Sequence, residues 1–115
     1  MRFNQEQFET LRQARTRWGD EEQMQMAVGE IGELLTLFGR RVQGRDTDAD
    51  WITEIADCMV MLEQLALMYG YSKVENMVGT KMERLRKRVQ AATTMPPNCD
   101  FTVHKLPNGD FTVIK

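Results

Sequence analysis

Apolar residues recur at intervals of three and four over most of the first 95 positions, which predicts a series of amphipathic helices. The first helix is predicted to begin at Asn4, because Asn4 is a favourable N-cap and Gln7 completes a capping box. Phe3 and Phe8 are placed to form a hydrophobic staple across this end. The helix is predicted to stop before a break at Trp18-Gly19.

The second helix is predicted to start near Asp20, with Gln23 in the position of a capping-box partner. Its apolar pattern continues to Phe38 and contains Gly29 and Gly32, which lower helix propensity. These glycines indicate either close helix packing or room for a ligand, and we favour packing. A polar loop follows over residues 43–48.

The third helix is predicted from about Asp48 to Tyr69, with Thr47 and Asp50 forming a capping box at its start. Apolar side chains surround this helix on nearly every side, and a 115-residue monomer offers few places to bury it. The pattern therefore predicts self-association. Gly70 is the expected C-terminal stop.

The fourth helix is predicted to open at a capping box, Ser72 to Glu75, and to stop before Met95-Pro96-Pro97. It carries basic side chains that we place on a different face from its apolar stripe. The stripe consists of Val74, Met77, Val78, Met82, Leu85 and Val89, and the basic residues are Lys81, Arg84 and Arg88.

The last residues change character, because Asn108-Gly109 stands between two short runs of β-forming residues, Phe101–Val103 and Phe111–Val113. This is a hairpin signal. The predicted fold is therefore an all-α bundle of about four helices, completed by oligomerisation, with a short C-terminal β-hairpin. We divide the chain into a helical domain, residues 1–95, and a hairpin extension, residues 96–115.

Charge and composition narrow the possible functions. The net charge of −2 argues against nucleic-acid and anionic-membrane partners. No apolar stretch is long enough to span a bilayer, and no signal peptide is recognised. Cys58 and Cys99 are far apart, which fits a reducing, cytoplasmic location. The only histidine, His104, falls in a predicted strand, so histidine-based catalysis and a Glu-x-x-His di-iron site are disfavoured.

Two pairs of acidic residues stand out against their apolar surroundings. Glu30 and Glu33 share one face of the second helix, and Glu54 and Asp57 share one face of the third. Such pairs usually face solvent, but carboxylates beside a core are unfavourable unless they are paired or bound to metal. If the two helices pack antiparallel, the pairs converge on an all-oxygen site suited to Mg²⁺ or Mn²⁺.

Basic residues of the fourth helix are a possible complement to such a site. Lys81 and Arg84 are suited to bind triphosphate oxygens. The alternative is a solvated basic face near the helix C-terminus, and for these two residues the sequence leaves both open. For Arg86 and Lys87 the solvated face is the better interpretation.

Taken in order, these motifs resemble the all-alpha nucleoside triphosphate pyrophosphatases of the MazG-like and dimeric dUTPase-like superfamily. The resemblance covers roughly residues 16 to 90. Two departures concern the Gly29-Glu30 pair, where many relatives have two adjacent acids, and the absence of an Asn shortly before Lys81. The segments that carry it are Trp18-Gly19 ahead of Gln23, Glu30–Leu34, Glu54–Asp57, Leu62–Leu65 and Lys81–Leu85.

This resemblance implies Mg²⁺-dependent hydrolysis of a nucleoside triphosphate to the monophosphate and pyrophosphate. It implies that all four acids hold metal, that Glu33 activates water, and that Lys81 and Arg84 contact phosphates. Trp18 and Gln23 would lie near the nucleoside, although Trp18 is equally suited to a core position. A homodimer or homotetramer is expected. The alternative is a non-catalytic helical protein that assembles with itself or binds nucleotide without turnover.

Overall fold

A computed structural model of the chain describes residues 3–92, 102–105, 107 and 111–114. This part contains four helices, α1 (Gln5–Trp18), α2 (Asp20–Val42), α3 (Asp48–Tyr69) and α4 (Tyr71–Ala92). The all-α class and the four predicted helices are therefore confirmed. None of the described helices combines the length and the apolarity that a membrane-spanning segment needs.

Two short strands follow the helices. β1 (Thr102–Lys105) and β2 (Phe111–Ile114) pair antiparallel, with Val103 opposite Val113. The predicted turn at Asn108-Gly109 and the helix stop at Met95-Pro96-Pro97 lie outside the described residues.

The chain divides into two compact units, Met1–Gly70 and Tyr71–Lys115. The first unit contains α1, α2 and α3, and the second contains α4 with the two strands. Each unit is described by itself below. The domain limits expected from sequence, 1–95 and 96–115, stay a prediction.

Local signals at the start of α1 predicted its cap correctly. The Asn4 side chain accepts a hydrogen bond from the Gln7 backbone, and the Gln7 side chain accepts one from the Asn4 backbone, both at 2.8 Å. The rings of Phe3 and Phe8 lie with centroids 6.1 Å apart, as the staple requires. At α3, Thr47 accepts a hydrogen bond from the backbone of Asp50. The N-cap role of Thr47 is thus confirmed.

The predicted start of α2 near Asp20 is confirmed, whereas the capping boxes predicted for α2 and α4 are wrong. Gly19 is the N-cap of α2 and adopts a φ of 90°, a left-handed conformation that glycine tolerates best. Asp20 is the first helical residue, and its carboxylate pairs with Arg15 across the break instead of capping the helix. α4 begins at Tyr71, so Ser72 lies inside the helix.

In the first unit, α2 and α3 pack antiparallel. Phe38 near the end of α2 meets Trp51 near the start of α3 edge-to-face, with ring centroids 5.0 Å apart. Further along, the Cys58 thiol donates a hydrogen bond to the Glu30 carbonyl at 3.4 Å. This register sets Glu30 and Glu33 at the same level as Glu54 and Asp57.

α1 runs parallel to α3 at the other end of this helix pair. The Gln64 amide donates to the Leu11 carbonyl at 3.0 Å, and the Arg15 guanidinium donates to the Leu67 carbonyl at 3.5 Å. Both contacts join residues about 52 positions apart, so α1 begins roughly level with Asp57. The buried apolar side chains of the described residues are Phe8, Leu11, Ala27, Leu37, Cys58, Met61 and Ala66.

Candidate metal centre

Four carboxylates from two helices come together in the first unit. Glu30 and Glu33 on α2, and Glu54 and Asp57 on α3, each offer one oxygen, and these four oxygens all lie within 4.8 Å of one another. The i, i+3 spacing puts each pair on one side of its helix, and the antiparallel register brings the two pairs level. The convergence that the sequence suggested is therefore present, whereas metal binding stays a prediction.

The four carboxylates differ in their exposure to solvent. Glu33 is exposed, while Glu30, Glu54 and Asp57 are half-buried. One oxygen of Glu30 and one of Glu54, the Oε2 atom in each case, are buried without a hydrogen-bond partner among the described residues. A buried polar atom with no partner destabilises a fold by about 1–3 kcal/mol. The cluster is therefore unfavourable as it stands and lacks a compensating group.

Burial and mutual repulsion act on the protonation of this cluster. The pKa of Glu30 is raised above its ordinary value, first by burial and then by the negative charges of Asp57 and Glu33. Burial also raises the pKa of Glu54, and its contact with Glu33 raises it further. Both shifts arise because the ionised form is deprived of water and placed beside like charges.

No basic side chain neutralises the cluster within the described part of the chain. The ion pairs there join Arg12 to Glu9, Arg15 to Asp20 and Arg86 to Glu83, and none includes the four carboxylates. A set of carboxylate oxygens alone suits hard divalent cations better than zinc. The orphaned oxygens of Glu30 and Glu54 and the unbalanced charge therefore fit a Mg²⁺ or Mn²⁺ site.

Cys58 lies directly beneath the carboxylates, a position that the sequence analysis did not assign to it. Its side chain is 5% exposed, so the thiol is buried. Burial raises the pKa of this thiol, and the charges of Glu30 and Glu54 raise it further. The sequence could have indicated this position, because Cys58 follows Asp57 directly and lies one helical turn, four residues, after Glu54.

The α2 glycines leave space beside the carboxylates. A side chain at Gly29 or Gly32 would meet no atom within 4 Å. The close packing that we favoured for these glycines is therefore not found among the described residues. Open helix surface adjoins Glu30 and Glu33 instead.

The two residues expected near the nucleoside have different surroundings. Trp18, the last residue of α1, is 50% exposed, so the core alternative is wrong. Gln23 is 3% exposed, and its amide nitrogen donates a weak hydrogen bond to the Met26 sulfur at 3.7 Å. Among the described residues, neither Trp18 nor Gln23 forms a hydrogen bond with the four carboxylates.

The basic residues of α4 belong to the second unit and are described there. Lys81 and Arg88 line the same surface as Val74, Met77 and Leu85. The prediction that these cations lie on a face apart from the apolar stripe is therefore wrong for Lys81 and Arg88. Lys81 and Arg88 lie within the apolar face of α4.

Comparisons with known proteins do not assign this chain to a family. No protein-family model, no curated protein and no solved structure matches this chain.

Proposed function

We propose that this chain is a Mg²⁺-dependent nucleoside triphosphate pyrophosphohydrolase of the MazG-like kind, working in the cytoplasm as a homo-oligomer. The observation that supports it most is the four-carboxylate cluster, with two buried oxygens that lack partners. Two antiparallel helices supply all the acids, so their positions depend on helix packing and not on a flexible loop. The order of motifs along the chain agrees with this assignment.

The carboxylates of Glu30, Glu33, Glu54 and Asp57 would hold the metal. When bound, Mg²⁺ supplies neutralisation of phosphate charge and polarises the groups that react. Glu33 is the exposed member of the set, so its carboxylate is the one best placed to accept a proton from an attacking water. In the reaction, the water oxygen bonds to the α-phosphorus while the bond to the bridging oxygen breaks. Pyrophosphate then leaves with that oxygen.

Contacts with the rest of the substrate follow from the resemblance alone. Lys81 and Arg84 would bind the phosphates, and Trp18 and Gln23 would lie near the nucleoside. The half-exposed indole of Trp18 offers a stacking surface for a base. Buried Gln23 retains amide donors that its contact with a sulfur satisfies poorly.

Exposed apolar side chains on α3 support a homodimer or homotetramer. Ile52 is 69% exposed, Ile55 47% and Leu62 50%. Apolar surface of this extent is typical of a protein–protein contact. The free, buried Cys58 fits the reducing conditions of the cytoplasm.

The proposal is tested by incubating the protein with a panel of ribo- and deoxynucleoside triphosphates, with Mg²⁺ or with a chelator. We expect Mg²⁺-dependent release of pyrophosphate and monophosphate, without orthophosphate. Glu30→Gln and Asp57→Asn should abolish turnover, whereas Glu21→Gln, an exposed acid on the same helix as Glu30, should not. Nucleotide binding without product from a folded sample would favour the non-catalytic alternative.

A further inference from the structure

The α2–α3 pair carries all of its basic side chains at one end. Residues 20–69, which span both helices and the turn between them, contain no lysine and three arginines, Arg40, Arg41 and Arg45. Arg40 and Arg41 lie in the last turn of α2, and Arg45 lies in the connecting turn, whereas the first turn of α2 is acidic. The helix pair is therefore polarised in charge along its length, with the carboxylate cluster between its two ends.

Arg40 and Arg41 stand in line with the carboxylates of α2. Arg40 follows Glu33 by seven residues and Arg41 follows Glu30 by eleven. Both spacings return a helical residue to within about 20° of its starting direction, and a rise of about 1.5 Å per residue sets Arg40 about 10 Å beyond Glu33 along the axis. Helical side chains lean toward the N-terminus of their helix. Both arginine side chains therefore leave the backbone in the direction of the cluster.

Neither of these two arginines has a partner among the described residues that accounts for its position. Both are exposed, and neither side chain forms a hydrogen bond or an ion pair with a described residue. The last carbonyl groups of α2 accept hydrogen bonds from the backbone of residues 43–45 instead. Arg45 differs, because its guanidinium donates to the Gln43 side chain. Arg40 and Arg41 are thus available to an anion.

Acidic residues at the same end of the helix pair do not engage these arginines. The Asp46 carboxylate accepts a hydrogen bond from the Trp51 indole at 2.7 Å. Asp48 and Asp50 belong to the first turn of α3, where acidic side chains are stabilised by the helix N-terminus, and neither forms an ion pair with a described residue. No ion pair therefore competes with an anionic ligand for Arg40 and Arg41.

The ligand chemistry that fits this arrangement is a chain of phosphates lying along α2. Ionised carboxylates accept hydrogen bonds and donate none, so a bound phosphate chain needs donors from outside the cluster. Guanidinium groups bind phosphate oxygens through paired, charge-assisted hydrogen bonds. A long arginine side chain and a triphosphate can together bridge the separation between Arg40 and Glu33, whereas a single phosphate held at the carboxylates is too short to do so.

We propose that Arg40 and Arg41 bind the terminal phosphates of the substrate and thereby select triphosphates over diphosphates. The phosphate chain then extends from the carboxylates toward the α2–α3 turn. Gln23, seven residues before Glu30, lies in the opposite direction, toward the nucleoside. This adds a phosphate contact from the first unit to the α4 contacts named above. The selectivity rests on the proposed function, but the binding of a phosphate chain does not.

The selectivity is tested with the triphosphate that the wild-type enzyme prefers and its matching diphosphate. Both yield the same monophosphate, with release of pyrophosphate from the first and orthophosphate from the second. We expect a variant with both Arg40→Met and Arg41→Met to lose about tenfold or more in kcat/KM for the triphosphate, as charged hydrogen bonds are lost. The kcat/KM of the diphosphate, or its Ki where it is not hydrolysed, should change little. An equal loss for both nucleotides would overturn the inference.

A binding measurement separates failure of this inference from failure of the proposed function. Isothermal titration of the protein with inorganic pyrophosphate in Mg²⁺ needs no nucleotide turnover. We expect the double variant to bind pyrophosphate about tenfold or more weakly than the wild-type protein, with little change for orthophosphate. Arginine-dependent binding by a protein that hydrolyses no nucleotide would support the inference and remove the proposed function. Wild-type affinity in the double variant of an active enzyme would refute the inference alone.

Arg45→Met is the matched control, because it removes the same charge from the same end of the helix pair. This variant should keep the wild-type selectivity and pyrophosphate affinity. If it weakens pyrophosphate binding as much as Arg40→Met or Arg41→Met does, the effect is one of net charge and the inference is wrong. Arg40→Lys with Arg41→Lys keeps the charge without the paired donors and should restore part of the affinity. Since all three arginines are exposed, the Tm of each variant without ligand should stay near that of the wild type.

Discussion

Replacing Glu54 by Gln should change the stability of this protein in opposite directions with and without a divalent cation. The substitution keeps the shape of the side chain and removes one charge from the cluster. Burial and the neighbouring Glu33 raise the pKa of Glu54 in the folded chain. The folded state therefore holds its proton more tightly than the unfolded state, and fold stability falls as pH rises through the folded pKa.

At neutral pH in a chelator, Glu54 of the wild-type protein is ionised and the fold is destabilised by its full electrostatic cost. The Glu54→Gln variant does not, so we expect it to melt at a higher temperature there. Below the ordinary carboxyl pKa, about 4, Glu54 of the wild-type protein is protonated and uncharged, so the difference between the two proteins should disappear. A carboxylate stabilised by a basic partner would show the reverse order at neutral pH.

Adding Mg²⁺ should reverse this order, so that the wild-type protein melts at the higher temperature. A ligand at about 100 times its Kd stabilises the folded state by about 2.7 kcal/mol. For a domain near 100 residues, 1 kcal/mol corresponds to roughly 4 °C in Tm, so the wild-type Tm should rise by about 10 °C. If the variant binds tenfold more weakly, the same calculation gives it a gain of about 6 °C.

The assay is thermal unfolding followed by circular dichroism at constant ionic strength, from pH 3 to 8, in chelator or Mg²⁺. Glu21→Gln serves as the control for removing a negative charge from the helical surface. A lower Tm of Glu54→Gln in chelator at neutral pH would refute the electrostatic argument. A wild-type Tm that does not respond to Mg²⁺ or Mn²⁺ would refute the metal site.

Three further changes test separate parts of the structure by unfolding in denaturant. Asn4→Ala removes the α1 cap and should cost about 1 kcal/mol, and an unchanged midpoint would contradict this. Gly32→Ala meets open space and should stabilise the chain by nearly 1 kcal/mol; destabilisation would mean that another copy packs there. Gln64 is 1% exposed, its amide donates to the Leu11 carbonyl, and its Oε1 atom has no partner among the described residues. Losing the hydrogen bond and the unpaired oxygen together should make Gln64→Met nearly neutral, whereas Gln64→Ala should cost about 2–5 kcal/mol. Equal losses for Met and Ala would show that the amide hydrogen bond dominates.

Features that depend on a few neighbouring residues were predictable from the sequence. The capping box needs only the Asn4–Gln7 spacing, and the end of α3 needs only a glycine at position 70. The carboxylate pairs belong to the same category, since helix geometry alone sets Glu30 beside Glu33. Their convergence with the α3 pair needed one more step, the antiparallel packing that a short loop favours.

Features that depend on the partner of each surface were not predictable in the same way. Asp20 has the residue type of an N-cap, but its carboxylate forms an ion pair with Arg15. Gly19 is the N-cap instead. Lys81 was separated from the apolar stripe by its charge, although positions 77, 78, 81 and 85 share one helix face. Local patterns identify which residues share a face, and only tertiary structure shows what that face meets.

The position of Cys58 bears on how a cluster of this kind keeps its preference for hard cations. A thiolate at this place would add a soft ligand to the carboxylates and favour zinc over Mg²⁺. Burial raises the pKa of the Cys58 thiol, and the anionic cluster adds to that shift. The thiol donates its hydrogen to the Glu30 carbonyl. The carboxylates that would attract a metal therefore also keep their sulfur neighbour protonated in the metal-free protein, which favours oxygen ligands for an incoming ion.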